Sequence, residues 1–210
     1  MARVKKYKPE VDYYLDALED DTRKFAKFWF SEHFKYPFGA IHDPIFDLID
    51  NPNLQQVAIA APRGVGKTSL VCLALAARHI LYKKSHYILL LGASQRRAIE
   101  NSENLKSKLL SDPDIARFYG PVRPQSTDLT FSKEAWVTAS GIRVEPVGAG
   151  QKIRGALHGS HRPDLIIVDD VEDREEVRNE LLRMDLEDWL YKDILELVNH
   201  SEPWRVIVIG

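Results

Sequence analysis

The sequence predicts an α/β fold, with a mainly parallel sheet flanked by helices, on three observations. Strand-like apolar runs alternate with helix-periodic segments along most of the 210 residues. Residues 88–91 and 165–168 are continuously apolar, as central parallel strands buried on both faces require. A third run, residues 56–60, breaks into a Pro/Gly loop that opens an apolar helix.

Bulk properties narrow the class. A chain of 210 residues can bury a substantial core as one domain or a little more. With 29 Lys+Arg against 31 Asp+Glu, the net charge of −2 supplies no overall basic field, although a local patch suffices to bind DNA. The single Cys72 can form no internal disulfide and reads as a small buried hydrophobe. No stretch approaches 18 apolar residues, and the basic N-terminus has no apolar segment behind it, so a soluble intracellular protein is expected.

Taken in order, residues 12–34 read as a helix whose stripe of Tyr13, Tyr14, Leu18, Phe25, Phe28, Trp29 and Phe30 is a packing face. Tyr36-Pro37-Phe38-Gly39 ends it as a turn. A short helix over 42–48 leads through Asn51-Pro52-Asn53 to the loop strand, and a helix over 70–81 follows the loop. After a strand over 86–92, Ser94 caps a helix to about 110, with Ile99, Leu105 and Leu109 on one face and Asp112-Pro113 as its stop. Residues 135–139 and 142–145, joined by Ser140-Gly141, read as a β-hairpin. Residues 148–164, with four glycines and three basic residues, read as a long functional loop. A strand over 165–168 ends in acids, and a helix from about 175 to 199 is expected to bury Val177, Leu181, Met184, Leu190, Ile194 and Leu197. The last strand is 205–209.

The chemistry begins at Ala61-Pro62-Arg63-Gly64-Val65-Gly66-Lys67-Thr68-Ser69. Gly64 and Gly66 let backbone N–H groups turn inward, where they and a helix N-terminus can hold a polyphosphate. Lys67 is placed to reach β- and γ-phosphates, and Thr68 to ligate Mg2+. The residue five before Gly66, usually glycine in such loops, is Ala61. This is the loop of a P-loop NTPase, of the ASCE/RecA-like kind. The run 165–168 ends in Asp169, a candidate metal ligand, beside Asp170, a candidate general base with Glu172 as its alternative. No Asn-Lys-x-Asp guanine reader is present and Glu172 stands where a switch GTPase has Gly, so ATP is the expected nucleotide. Arg63 within the loop can touch the γ-phosphate, Arg154 can neutralise charge in its own or a neighbouring subunit's site, and Arg143 is a weaker candidate. His42, just upstream of the loop strand, is a candidate contact for the base, against the alternative of an ordinary core or surface histidine.

These residues together resemble the N-terminal DNA-packaging ATPase domain of the large terminase subunit of tailed double-stranded DNA bacteriophages. The resemblance rests on 61–68 as an Arg-x-x-Gly-Lys-Thr variant loop, Gly92-Ala93-Ser94, Lys152-Ile153-Arg154-Gly155, the segment 162–172 with its Asp-Asp-Val-Glu, and Val206-Ile207-Val208-Ile209-Gly210. It covers about residues 36–210. It implies Mg2+-dependent ATP hydrolysis that drives double-stranded DNA into a procapsid. It also implies a homo-oligomeric ring, of five subunits, on the portal protein and with the small terminase subunit as partner. The place of action is then the host bacterial cytoplasm, transiently at the portal. Arg63 would act in cis and Arg154 in trans. Where many members carry Glu after the metal Asp this chain has Asp170, and His42 takes the place of an adenine-reading Gln. The expected organisation is a helical extension over 1–50 on an ATPase core over 51–210. The nuclease domain that follows in the family has no counterpart in this stretch, so no DNA cleavage is expected. A helicase-like or remodelling ATPase, and a nucleotide-binding interaction module with little turnover, are the competing readings.

Overall fold

The computed structural model describes residues 9–171 and 180–210; Glu172 and Val177 lie outside them. Six strands form one sheet in the order β1-β6-β5-β2-β4-β3. They are β1 (Gln56–Ile59), β2 (Tyr87–Gly92), β3 (Trp136–Val137), β4 (Arg143–Gly148), β5 (Leu165–Asp169) and β6 (Arg205–Ile209). All neighbours are parallel except β3, which pairs antiparallel with β4 through Trp136↔Val144 and Val137↔Arg143. The hairpin read from the sequence is therefore present, but its second strand is a full member of the sheet, parallel to β2 from Tyr87↔Arg143 to Gly92↔Gly148.

Every residue of β2 and β5 is buried, because helices cover both faces. The period of two sorts the side chains into two apolar layers. Ile88, Leu90, Leu165, Ile167, Ile207 and Ile209 share one cluster with Phe25, Trp29, Ile45, Phe46 and the helix after the loop. Leu89, Leu91, Ile166, Val168 and Val206 share the other with Trp189, Ile194, Leu197 and Trp204. A one-residue slip in any of these strands would exchange the layers.

The single helix expected over 12–34 is two helices, α1 (Pro9–Leu18) and α2 (Thr22–Trp29). Asp21 divides them. Its carboxylate accepts the Lys24 N–H at 2.8 Å as the N-cap of α2, while Thr22 donates its N–H and hydroxyl to Asp50. Phe25, Ala26 and Trp29 then face the core at helical spacing, whereas Tyr13, Tyr14 and Phe28 of the expected packing stripe are exposed. The short helix α3 (Asp43–Asp50) follows a 3₁₀ turn, Ala40–His42.

After the loop the helix first runs with wide turns over Ser69–Leu75, where the Ala76 N–H reaches the Val71 carbonyl five residues back, and continues as α4 (Ala76–Leu81). Helix α5 (Gln95–Ser111) is capped by Ser94, as the sequence suggests, and buries Ala98, Asn101, Ser102, Leu105 and Leu109; Ile99 is only half-buried. Asp112-Pro113 stops α5 and also starts α6 (Pro113–Tyr119), with Asp112 as cap and Pro113 at the first position. Helix α7 (Glu180–Trp189) exposes Leu181 and Met184 and runs into a wide-turned segment, Leu190–Ile194, that carries Ile194 inward. The expected buried face is corrected to Trp189, Ile194 and Leu197.

Candidate functional site

The loop and the acids meet at the C-terminal rim of the sheet. Strand β6 lies between β1 and β5, so the loop strand and the acid strand are next-but-one rather than adjacent. The helix that leaves the loop spans the gap. Thr68 Oγ1 donates to Asp169 Oδ1 at 2.9 Å, joining residues 101 apart in sequence.

The loop's shape comes from two glycines in the left-handed region, Gly64 (φ 87°) and Gly66 (φ 78°), where an L side chain is strained. The Leu70 N–H donates to the Gly66 carbonyl at 2.8 Å, so the helix takes hold at once. Its first N–H groups have no partner one turn back, which makes the helix start a ready anion cradle. Lys67 folds back, its ammonium donating to the Ala61 carbonyl. Pro62, Arg63 and Gly64 are exposed at the tip of the loop; Val65 and Ser69 are half-buried.

Strand β6 braces both parts. The Gly210 carbonyl accepts the Ala61 N–H at 3.1 Å, and the Ile209 carbonyl accepts the Asp170 N–H at 3.0 Å. Asp170 itself is exposed and left-handed (φ 47°), a conformation that Asp tolerates better than most residues.

Asp169 is 6% exposed and holds two side-chain hydrogen bonds, from Thr68 on Oδ1 and from Asn101 Nδ2 on Oδ2, each 2.9 Å. Burial pushes its carboxyl above the usual range; the two donors and the Arg97 charge oppose the rise, and the Asp170 charge adds to it. The neighbouring Cys72 thiol, fully buried and beside the Asp169 charge, is pushed well up, which keeps it protonated and unreactive.

His42 touches the loop. Its Nδ1 accepts the Gly39 N–H at 3.1 Å, and Nε2, protonated in that tautomer, donates to the Val65 carbonyl at 3.1 Å. The Phe38 ring packs on the imidazole at 5.1 Å between centroids.

The remaining arginines stand elsewhere. Arg154 donates through Nε to Asp193 at 2.6 Å, with its side chain 77% exposed, and among the described residues no contact joins it to the phosphate loop. Arg143 is bound to Glu145, which also accepts the Tyr87 hydroxyl at 2.5 Å; burial and that carboxylate raise the Tyr87 phenol. The long 148–164 segment is pinned to the fold, with the Trp189 indole donating to the Gln151 carbonyl at 3.0 Å and His86 and His161 stacked at 3.9 Å.

Of the residues read from the sequence, the structure joins Thr68 to Asp169, with Asp170 next to it and Lys67 on the Ala61 carbonyl. The sequence reading misses Asn101, which belongs to no motif; its signal is a polar residue on the buried face of α5.

No family model and no curated protein matches the chain. Several solved chains resemble it, among them the following two. One is a mutant of the large terminase ATPase domain of Thermus phage P74-26, with 14% identity and a TM-score of 0.46, covering 86% of this chain and 68% of that one. The other is the Phi-28 gp11 DNA packaging motor, with 14% identity and a TM-score of 0.36, covering 75% of this chain and 47% of that one.

Proposed function

We propose that this chain is a Mg2+-dependent ATPase that powers translocation of double-stranded DNA into a viral procapsid, as the packaging ATPase of a large terminase subunit. The observation that carries the ATPase reading is the Thr68–Asp169 hydrogen bond, which brings a glycine-relaxed phosphate loop and a buried carboxylate to one point. The packaging reading rests on the Arg-x-x-Gly-Lys-Thr and Asp-Asp-Val-Glu motifs.

The residues present fit ATP and Mg2+. Gly64 and Gly66 shape the cradle, and Lys67 has a flexible stem whose ammonium exchanges the Ala61 carbonyl for phosphate oxygens. Thr68 would offer a hydroxyl lone pair to the metal while its O–H still donates to Asp169 Oδ1, and the Asp169 carboxylate would hold the metal directly or through water. Bound Mg2+ neutralises charge on the β- and γ-phosphates. Asp170, exposed at the rim, takes a proton from the attacking water, with Glu172 as the alternative base. Arg63 at the tip of the loop approaches the γ-phosphate in cis. His42 fixes the loop through Val65 and is the candidate contact for the base.

Arg154, tied to Asp193 in the single chain, serves a neighbouring subunit in a homo-oligomeric ring, so isolated subunits turn over slowly. In the proposed division into an extension over 1–50 and a core over 51–210, the described residues 9–50 join the two through Leu15, Phe25 and Phe46, and the ring works with portal protein and small terminase subunit in the host cytoplasm. The test is the steady-state ATPase rate alone, with double-stranded DNA, and with DNA plus procapsids. The proposal expects stepwise stimulation; a rate that stays at background in all three would overturn it.

A further inference from the structure

Helix α5 contributes a residue that neither motif contains. Asn101 is 9% exposed, and its Nδ2 donates to Asp169 Oδ2 across 68 residues of sequence. Its neighbours on the buried face are spent on the scaffold: Ser102 accepts the Trp136 indole N–H at 2.9 Å, and Lys106 donates to the Ser132 carbonyl at 2.9 Å. Those bonds, with Leu105 and Leu109 in the core, fix the helix without any help from Asn101. Among these buried polar groups, Asn101 alone spends its bond on the candidate site.

A carboxylate held through one oxygen still turns about its Cβ–Cγ bond. Thr68 grips Oδ1 from the helix after the loop, and Asn101 grips Oδ2 from α5, so the plane of the Asp169 carboxylate is set from two sides. We propose that Asn101 is a positioning residue that fixes this plane, keeping Oδ1 on the Thr68 side where a metal-bound nucleotide is held. The inference rests on the Mg2+–nucleotide reading of the site. Asn101 touches neither phosphate nor metal; it acts through Asp169. Removing such an outer donor costs about 10- to 100-fold in metal affinity where it has been measured in other sites.

The experiment is binding of a fluorescent ATP analogue to the full chain, in EDTA and across a Mg2+ titration, for wild type, Asn101→Leu and Asn101→Ser. Leucine matches the volume but removes the donor; serine is polar and small but too short to reach Asp169. Both variants are expected to bind within about twofold of wild type in EDTA, where Lys67 and the loop carry affinity, and to need about 10- to 100-fold more Mg2+ for the tight state. Serine covers the case in which leucine beside a buried carboxylate unfolds the chain. A Mg2+ midpoint equal to wild type in either folded variant overturns the proposal. If the wild type itself gains nothing from Mg2+, the reading of the site fails and this inference falls with it.

Discussion

The two ends of the sheet handle charge in opposite ways. At the N-terminal end, a cavity of about 720 Å³ is lined by Asp50, Arg78, His79, Lys84, Asp164 and Arg205. There the charges are spent on the protein. Arg78 pairs with Asp50 at 2.9 Å and donates to the Glu19 carbonyl, and Arg205 donates to the carbonyls of Leu48 and Ile49 at the end of α3 and of Leu54 in the loop beyond it. Asp164 accepts the N–H groups of His86 and Tyr87. At the C-terminal end the backbone is glycine-relaxed at 64 and 66, and Arg63 and Asp170 face solvent. Among the described residues neither of those side chains makes a hydrogen bond. Exposed charge on a braced backbone is what sets this rim apart from the other end of the sheet.

The comparison breaks if function responds to the wrong end. The largest expected effect is Lys67→Ala, which should take ATP turnover down by about 100- to 1000-fold or below detection, as loss of a preorganised charged donor does. Its unfolding midpoint should stay at the wild-type value, since the ammonium's only described partner is the Ala61 carbonyl. Arg78→Met should do the reverse. It leaves Asp50, half-buried and still held by Thr22, without its cation, at a cost of about 1–3 kcal/mol in denaturant unfolding, with the nucleotide affinity of the folded fraction unchanged. Arg78→Met that unfolds like wild type but loses nucleotide would invert the account.

A smaller effect concerns His79. Burial holds it well below its ordinary value of 6.5, and the charges of Arg78, Arg205 and Lys84 act in the same direction. The folded state therefore binds fewer protons than the unfolded one just below that value, so the associated stability is complete above about pH 6.5 and lost as pH falls. Thermal unfolding followed from neutral to acid pH should show that slope, and His79→Asn should flatten it. The smallest effect is Asp21→Ala, which removes the α2 cap: about 1 kcal/mol of stability and no change in turnover.

Much of this was legible in the sequence, and the misses have physical causes. The continuous apolar runs of β2 and β5 announce central parallel strands because burial on both faces removes any need for alternation. Lys67, Thr68 and Asp169 stand out in the sequence because the phosphate and metal binding proposed for them would demand those groups at those spacings. Strand order does not, since hydrophobic pattern says nothing about which strand lies between which; β6 between β1 and β5 had to be seen. The break at Asp21 was hidden by an aromatic stripe that reads through it. Along the last helix, a wide turn over Leu190–Ile194 shifts the phase of the helical period, so a face extrapolated at 3.6 residues per turn places Leu181 and Met184 wrongly. Asn101 is informative only once its partner is known.

The most direct test of the central claim is release of inorganic phosphate from Mg2+·ATP by wild type and Asp170→Asn, side by side with their affinities for the nucleotide. The account predicts repeated turnover by the wild type, and a variant that binds within a few-fold of it yet hydrolyses about 100- to 10,000-fold more slowly. Equal hydrolysis by Asp170→Asn would contradict the assignment of the base at this rim.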